Sequence, residues 1–301
     1  MKNFREIYEE VLIESKDKLE KLRKGCLYRI LGGIGCAIVC GLIGIYLKNE
    51  MLCNISILLS VVVTSIMLIG PLSKYKSTYK EAVVKKFIEL YNPNLKYFYN
   101  EGISSSTYRN AQFEGFDRYH TEDLIAGEID GMYMKIAEVH TERRETYRDS
   151  DGHTRTRYVT IFHGLFGTCE INNTYGGVLK IRTDPGVFGR LFQGKKRIEM
   201  DSSEFEKYFE VKADDKIQAM QILTSDVMDL MVEFVKESKI GFEFTINHNE
   251  FYIRFRTGGM FEGSIFKSAV DFDVLKKVYD VINFTFDITK AIAKTINETQ
   301  L

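Results

Sequence analysis

Hydrophobic and polar positions divide this chain sharply. From Cys26 to Leu47 it is apolar except for Arg29, and from Met51 to Leu72 it is apolar again, with Asn54 near the start. Each run is about 22 residues, which at about 1.5 Å rise per residue crosses the roughly 30 Å hydrocarbon layer of a bilayer. Only Lys48, Asn49 and Glu50 separate them, so the pattern predicts two antiparallel transmembrane helices, 26–47 and 51–72. A signal peptide fits poorly, because the charged preamble is long and a second span remains. A buried hairpin in a soluble protein is the other alternative.

Helical spacing extends beyond both runs. Phe4, Ile7, Tyr8, Val11, Leu19 and Leu22 recur on one face ahead of the first, and Tyr79, Val83, Phe87, Leu90 and Tyr91 do so after the second until Pro93. Pro71 is expected to kink the exit from the membrane. The two helices should continue as a stalk in which each covers the other's apolar stripe. Residues 1–25 then form an amphipathic cytosolic helix, 26–72 the hairpin, 73–92 a stalk helix and 93–301 a cytosolic domain.

After Pro93 the period changes from helical to alternating. Asp123–Ile129 and Met132–His140 read as strands joined at Asp130-Gly131, a tight-turn pair. The second runs on to Asp149, Asp149–Gly152 turn the chain, and a return strand covers Thr154–Phe166. Cys169–Asn172 and Gly177–Arg182 read as further strands before a loop at Asp184-Pro185-Gly186. Asp215 with Gln218 resembles a capping box opening a helix over Lys216–Leu223. Thr224 or Ser225 caps the next helix, whose stripe is Val227, Leu230, Met231, Phe234 and Val235. Phe242, Phe244 and Ile246, then Phe251, Ile253 and Phe255, alternate as a half-buried hairpin. A helix over Asp273–Asn297 follows. Strands mixed with helices, without regular alternation, predict an α+β domain with a mainly antiparallel sheet behind the transmembrane hairpin. Phe162–Phe166 and Phe261–Phe266 are similar phrases that raise an internal duplication.

Charge adds orientation. Lys and Arg total 41 against 42 Asp and Glu, so no overall field points to nucleic acid, and none is expected as a partner. Lys16, Lys18, Lys21, Arg23 and Lys24 precede the hairpin, Lys74, Lys76, Lys80, Lys85 and Lys86 follow it, and its loop offers Lys48 alone. That asymmetry predicts a multi-pass cell-membrane protein with both termini and the large domain cytosolic. Arg29 lies close enough to the interface to snorkel. Of the cysteines, only Cys169 lies outside the apolar runs and their edges, so no disulfide framework is implied.

Gly32, Cys36, Cys40 and Gly44 recur every fourth residue beside Gly33, Ala37 and Gly41, and Ser56, Ser60 and Thr64 match them on the second span. Such stripes let helix backbones approach in lipid, within the hairpin or in a homo-oligomer. Neither span carries the polar lining of a pore.

The phrase Phe205–Leu223 followed by Thr224, with Phe162-His163-Gly164-Leu165-Phe166 upstream and Glu138 closing a strand, resembles a bacterial family labelled domain of unknown function 3137. The resemblance extends over most of residues 75–290. It implies a bacterial protein with paired spans before the domain, and it supplies no catalytic residues. Packing by Phe205, Phe209 and Val211, with caps at Asp215 and Thr224, accounts for the phrase physically.

Candidate chemistry is sparse. His120 with Glu122 and His140 with Glu142 are His-x-Glu pairs, and Glu138, His140 and Glu142 share a strand face. Glu138, His140 and His163 are the candidate catalytic residues, and His120, His140 and Glu142 the candidate metal ligands. His163 reads equally as a core histidine. The isolated Cys169 makes a poor nucleophile. The glycines Gly164 and Gly167, Gly176-Gly177 and Gly258-Gly259 match no phosphate loop and read as turns. Arg143, Arg144, Arg148, Arg155 and Arg157 are offset by Glu142, Glu145, Asp149 and Asp151, as on an ion-paired solvated hairpin.

No cofactor is implied. The leading reading is a membrane-tethered interaction, scaffold or sensing module that meets the lipid bilayer and an unidentified protein partner. The alternatives are a membrane-anchored enzyme using the Glu138/His140 neighbourhood and an oligomerising accessory subunit.

Overall fold

The computed structural model describes residues 3–171, 175–183 and 198–299. The expected Asp184-Pro185-Gly186 loop lies outside them. The chain forms two compact units, residues 1–91 with 261–275, and residues 92–260 with 276–301.

In the first unit, α1 (Phe4–Tyr46) is one unbroken helix. It opens at Asn3, whose side chain accepts from the Glu6 amide while Glu6 accepts from the Asn3 amide, a reciprocal cap. Lys48 takes a positive φ of 51° and Asn49 caps the next helix through the Leu52 amide, which reverses the chain in the predicted place. The second helix, α2 (Glu50–Tyr91), carries Pro71 within it. Its α-helical ladder gives way not there but at Lys80–Lys85, which is π-helical. The polar ends of α1 and α2 pack on each other: Phe4 meets Phe87, and Lys86 lies 3.4 Å from Glu14.

Residues Phe261–Val270 strap across these polar ends. Tyr75 donates to the Ser264 carbonyl at 3.1 Å, Arg23 donates to the Ile265 carbonyl at 3.1 Å, and Glu20 accepts the Ala269 amide at 2.9 Å. Gly263 fits against the Tyr79 ring, where a Cβ would come within 2.7 Å. Burial raises the Tyr75 hydroxyl to about 12 and raises Tyr79 further.

The second unit is α+β. Its eight strands among the described residues are β1 (Leu95–Phe98), β2 (Arg118–Ile129), β3 (Met132–Arg148), β4 (Thr154–Glu170), β5 (Val178–Thr183), β6 (Phe209–Ala213), β7 (Phe242–Asn247) and β8 (Glu250–Phe255). They form one sheet in the order β1-β2-β3-β4-β8-β7-β5-β6, antiparallel at every pair. Asp130 and Gly131 both have positive φ, at 50° and 81°, as a two-residue hairpin demands. The helices are α3 (Ser105–Asn110), α4 (Phe205–Tyr208), α5 (Lys216–Ile222), α6 (Ser225–Ser238) and α7 (Phe272–Thr299), of which α7 begins in the first unit. Asp215 caps α5 through the Ile217 and Gln218 amides. The reciprocal half of the expected capping box is not formed: the Gln218 side-chain oxygen is buried beside Gly176, with no hydrogen-bond partner among the described residues.

Two strand expectations need correction. β4 runs unbroken through Gly164, Gly167 and Cys169, so these glycines are not turns and Cys169 opens no new strand. Gly164 is there because a Cβ would collide with the Phe255 carbonyl oxygen of the neighbouring strand. The hairpin β7/β8 is not half-buried, since Tyr252 and Arg254 are as buried as Phe251, Ile253 and Phe255. The reason is that β8 is central and covered on both faces. On one face Phe242 and Phe255 pack on Phe284 of α7, itself stacked on Phe234 of α6 at 4.0 Å. On the other, Tyr108 of α3 packs on Phe162 and Phe166, at 6.2 and 4.9 Å. Finally, the similar phrases differ in conformation: Phe162–Phe166 lies in β4, whereas Phe261–Phe266 has no regular structure and belongs to the other unit.

Candidate functional site

Strand register gathers the predicted histidines. Pairing of β2, β3 and β4 sets His120, His140 and His163 side by side, with Glu122 opposite Glu138 in the next row. The His140 and His163 rings are 4.8 Å apart. Glu138 has a side chain only 10% exposed; one oxygen lies 3.2 Å from His163 Nε2 and the other accepts the buried Met260 amide at 3.0 Å. His140 Nε2 lies 3.0 Å from the Thr160 hydroxyl. Glu142 faces Arg118 at 3.5 Å, and His120 lies 3.8 Å from Glu122. This arrangement offers an oriented carboxylate–imidazole pair at the surface, with His163 partly exposed.

Among the described residues, three metal-ligating atoms come within 4.8 Å of one another only at Asp149, Asp151 and His153. That cluster is an exposed turn in which Asp149 already accepts the Asp151 and His153 amides and the Arg155 guanidinium. The Arg155 hydrogen bond holds the Asp149 carboxyl below the usual range. The arm around it is ion-paired as its composition suggests: Arg157 bonds Glu145 at 2.9 Å, and Arg118 lies over the Tyr158 ring at 3.3 Å. Cys169 is buried, which pushes its thiol up to about 11.

In the apolar hairpin, Ser60 donates to the Gly33 carbonyl at 3.1 Å and Thr64 packs on Gly33, while a Cβ at Gly44 would come within 2.7 Å of Cys53 Cα. Gly32 has no neighbour at its Cβ position and Cys36 is exposed. The helix contact therefore follows the Gly33 side of the glycine pair, and Gly32, Cys36, Cys40 and Ser56 border a groove beside it.

A second constellation escaped sequence reasoning. Glu210, Arg182, Glu243 and Arg254 fall in register across β6, β5, β7 and β8, forming a row of alternating charge. Arg182 bonds Glu210 at 2.9 Å. Arg254, 1% exposed, binds both Glu243 and Glu114 and donates to the Tyr108 hydroxyl at 2.8 Å. Its guanidinium lies 4.1 Å from the Phe113 ring centre. These carboxylates raise the guanidinium's affinity for its proton even though burial opposes it, and Arg254 in turn holds Glu114 low. Beside this row lies a cleft of about 250 Å³ between residues 112–114 and strands β5, β6 and β7. The signal for it was the opposite parity of strands whose apolar parity marked the core, and only the register joins those positions.

Residues 160–294 match the family model described as protein of unknown function (DUF3137). Over that stretch the chain resembles this family. The DUF3137-like stretch includes His163, Arg182, Thr245 and Arg254; Glu138, His140 and the apolar hairpin precede it. No curated protein and no solved structure matches the chain.

Proposed function

We propose that this protein is a membrane-tethered interaction or sensing module whose α1/α2 hairpin crosses the bilayer twice, leaving both termini and the sheet domain in the cytosol. The observation that carries this reading is the exposure of the two apolar helices. Their most apolar 18-residue windows are only 11% and 6% buried by the rest of the chain. A core hairpin of a soluble protein would be covered, and bare aliphatic faces of this length belong in lipid. The Lys-rich flanks and the single Lys48 of the loop support the orientation.

Alkaline extraction of the full-length protein should leave it with the membrane. In a variant without its native cysteines, K48C should react with an impermeant maleimide on intact cells and K290C only after lysis. Recovery in the soluble fraction would overturn the tether, and the reverse labelling pattern would invert the topology.

A second reading, a membrane-anchored enzyme, is favoured by the Glu138–His163 pair at 3.2 Å. Since Glu138 also holds the Met260 amide, a structural role accounts for the same contact. Unchanged metal content in H140A would remove the metal form of the enzyme reading, and full function in H163Q would remove the acid–base form. Homo-oligomerisation through the groove at Gly32, Cys36 and Cys40 is the third possibility, tested by the mass of the purified protein in detergent.

A further inference from the structure

The cleft beside the Arg254 row has a second row of side chains with a different character. Lys212, Lys180 and Thr245 stand in register across β6, β5 and β7, one strand spacing of about 4.8 Å apart. All three line the cleft. Two lysines opposed on one sheet face repel, and such a pair is destabilising unless something negative lies between them. The nearby carboxylates are committed elsewhere: Glu210 is bonded to Arg182, Glu243 and Glu114 to Arg254, and Asp214, which attracts the Lys180 ammonium from the β6 end, accepts the Val178 amide at 3.0 Å. Lys180 donates only to the neutral Gln112 carbonyl, at 2.8 Å. Lys212 has no ion-pair partner among the described residues. Burial and the Lys212 charge together push the Lys180 ammonium down.

Thr245 supplies the independent observation. It is wholly buried, it lines the cleft, and its hydroxyl has no hydrogen-bond partner among the described residues. Nearly every buried hydroxyl in a folded protein is bonded, so an orphan at the floor of a charged cleft marks a place for an acceptor. Arg254 lines the same cleft, and its Nε is also buried and without a hydrogen-bond partner among the described residues.

We propose that this cleft binds a small phosphate monoester, its phosphate oxygens held by Lys180 and Lys212 and by a hydrogen bond from the Thr245 hydroxyl. Arg254 is held by two carboxylates and Arg182 Nε by Glu210. The row of point donors at Lys180, Lys212 and Thr245 suits a tetrahedral anion with several acceptor oxygens. The volume of about 250 Å³ is of the size that a small phosphorylated metabolite fills. This inference goes beyond the tether and stands whether or not the hairpin crosses a membrane.

Calorimetric titration of the full-length protein in detergent with glycerol 3-phosphate, and with acetate at matched ionic strength, tests it. Saturable binding of glycerol 3-phosphate is expected, weakened roughly tenfold or more in K212M and in T245V and unchanged in K135M. Because T245V removes a buried unpaired hydroxyl, its melting temperature should stay level or rise, which separates lost binding from lost folding. No saturable heat with the phosphate ester overturns the proposal. So does acetate binding as tightly, or a T245V variant that melts normally and binds with the parent affinity.

Discussion

Arg254 Nη1 donates to the Tyr108 hydroxyl at 2.8 Å, joining a central strand to a short helix 146 positions away in the chain. The guanidinium is buried and carries the attraction of Glu243 and Glu114 as well, so removing it unpairs a buried tyrosine and leaves the two carboxylates only the longer contacts to Arg256, at 3.5 and 3.6 Å. R254M should destabilise the sheet domain by about 3 kcal/mol, the cost of breaking a buried charge pair from one side. The double variant R254M/E243Q should recover part of that loss. Chemical denaturation monitored by circular dichroism measures both, and equal losses in the two would refute the coupling.

Gly164 faces the carbonyl oxygen of Phe255, and a methyl group there would overlap it. Since the obstacle is backbone on a central strand, it cannot rotate away. G164A should therefore cost about 1–3 kcal/mol as overpacking. G131A, in the exposed turn with φ of 81° and open space at its Cβ position, should lose stability through backbone strain alone. Thermal melts of the two variants check both losses, and a smaller side chain at Phe255 should not rescue G164A, because the obstacle is its backbone oxygen.

The strap over the stalk should loosen in acid. Glu20 is held below its ordinary value near 4.5 first by the Arg23 hydrogen bond, then by the Ala269 amide, against a desolvation that opposes them. A carboxyl whose folded pKa is depressed stabilises above the unfolded value, and that contribution is lost as pH falls through the folded one. Hydrogen exchange at the Ala269 amide, corrected for its intrinsic rate, should accelerate below about pH 4.5. In E20Q it should be faster at neutral pH and lose this acid dependence.

Cys169 should be inert at neutral pH. It is 3% exposed on β4, and burial keeps its thiol protonated until about pH 11. In a variant with Cys26, Cys36, Cys40 and Cys53 replaced by alanine, Ellman's reagent at pH 7 should react only after denaturant is added. Rapid reaction in the folded protein would show that β4 opens at this point.

Local patterns were enough for much of the architecture. The apolar runs locate α1 and α2, and Asp130-Gly131 locates the β2/β3 turn because only residues tolerant of positive φ fit it. Asp215 and Thr224 locate the starts of α5 and α6 because each side chain satisfies amides within three residues of itself. In every case the deciding interaction lies within a few positions of chain.

What the sequence alone did not decide depends on distant partners. β4 continues through Gly164 because Phe255 lies beside it, and β8 is buried on its polar face because Tyr108 and Phe113 cover Arg254. The row of Lys212, Lys180 and Thr245 exists only when three strands from separate stretches pair in one register. By itself the sequence determined the long helices and α5, most of the strands and the apolar hairpin, through periodicity, capping and hydrophobic length, but not the short α3 and α4. Tertiary structure decided which polar residues meet, because strand order and register set side-chain neighbours and neither is encoded by any one strand.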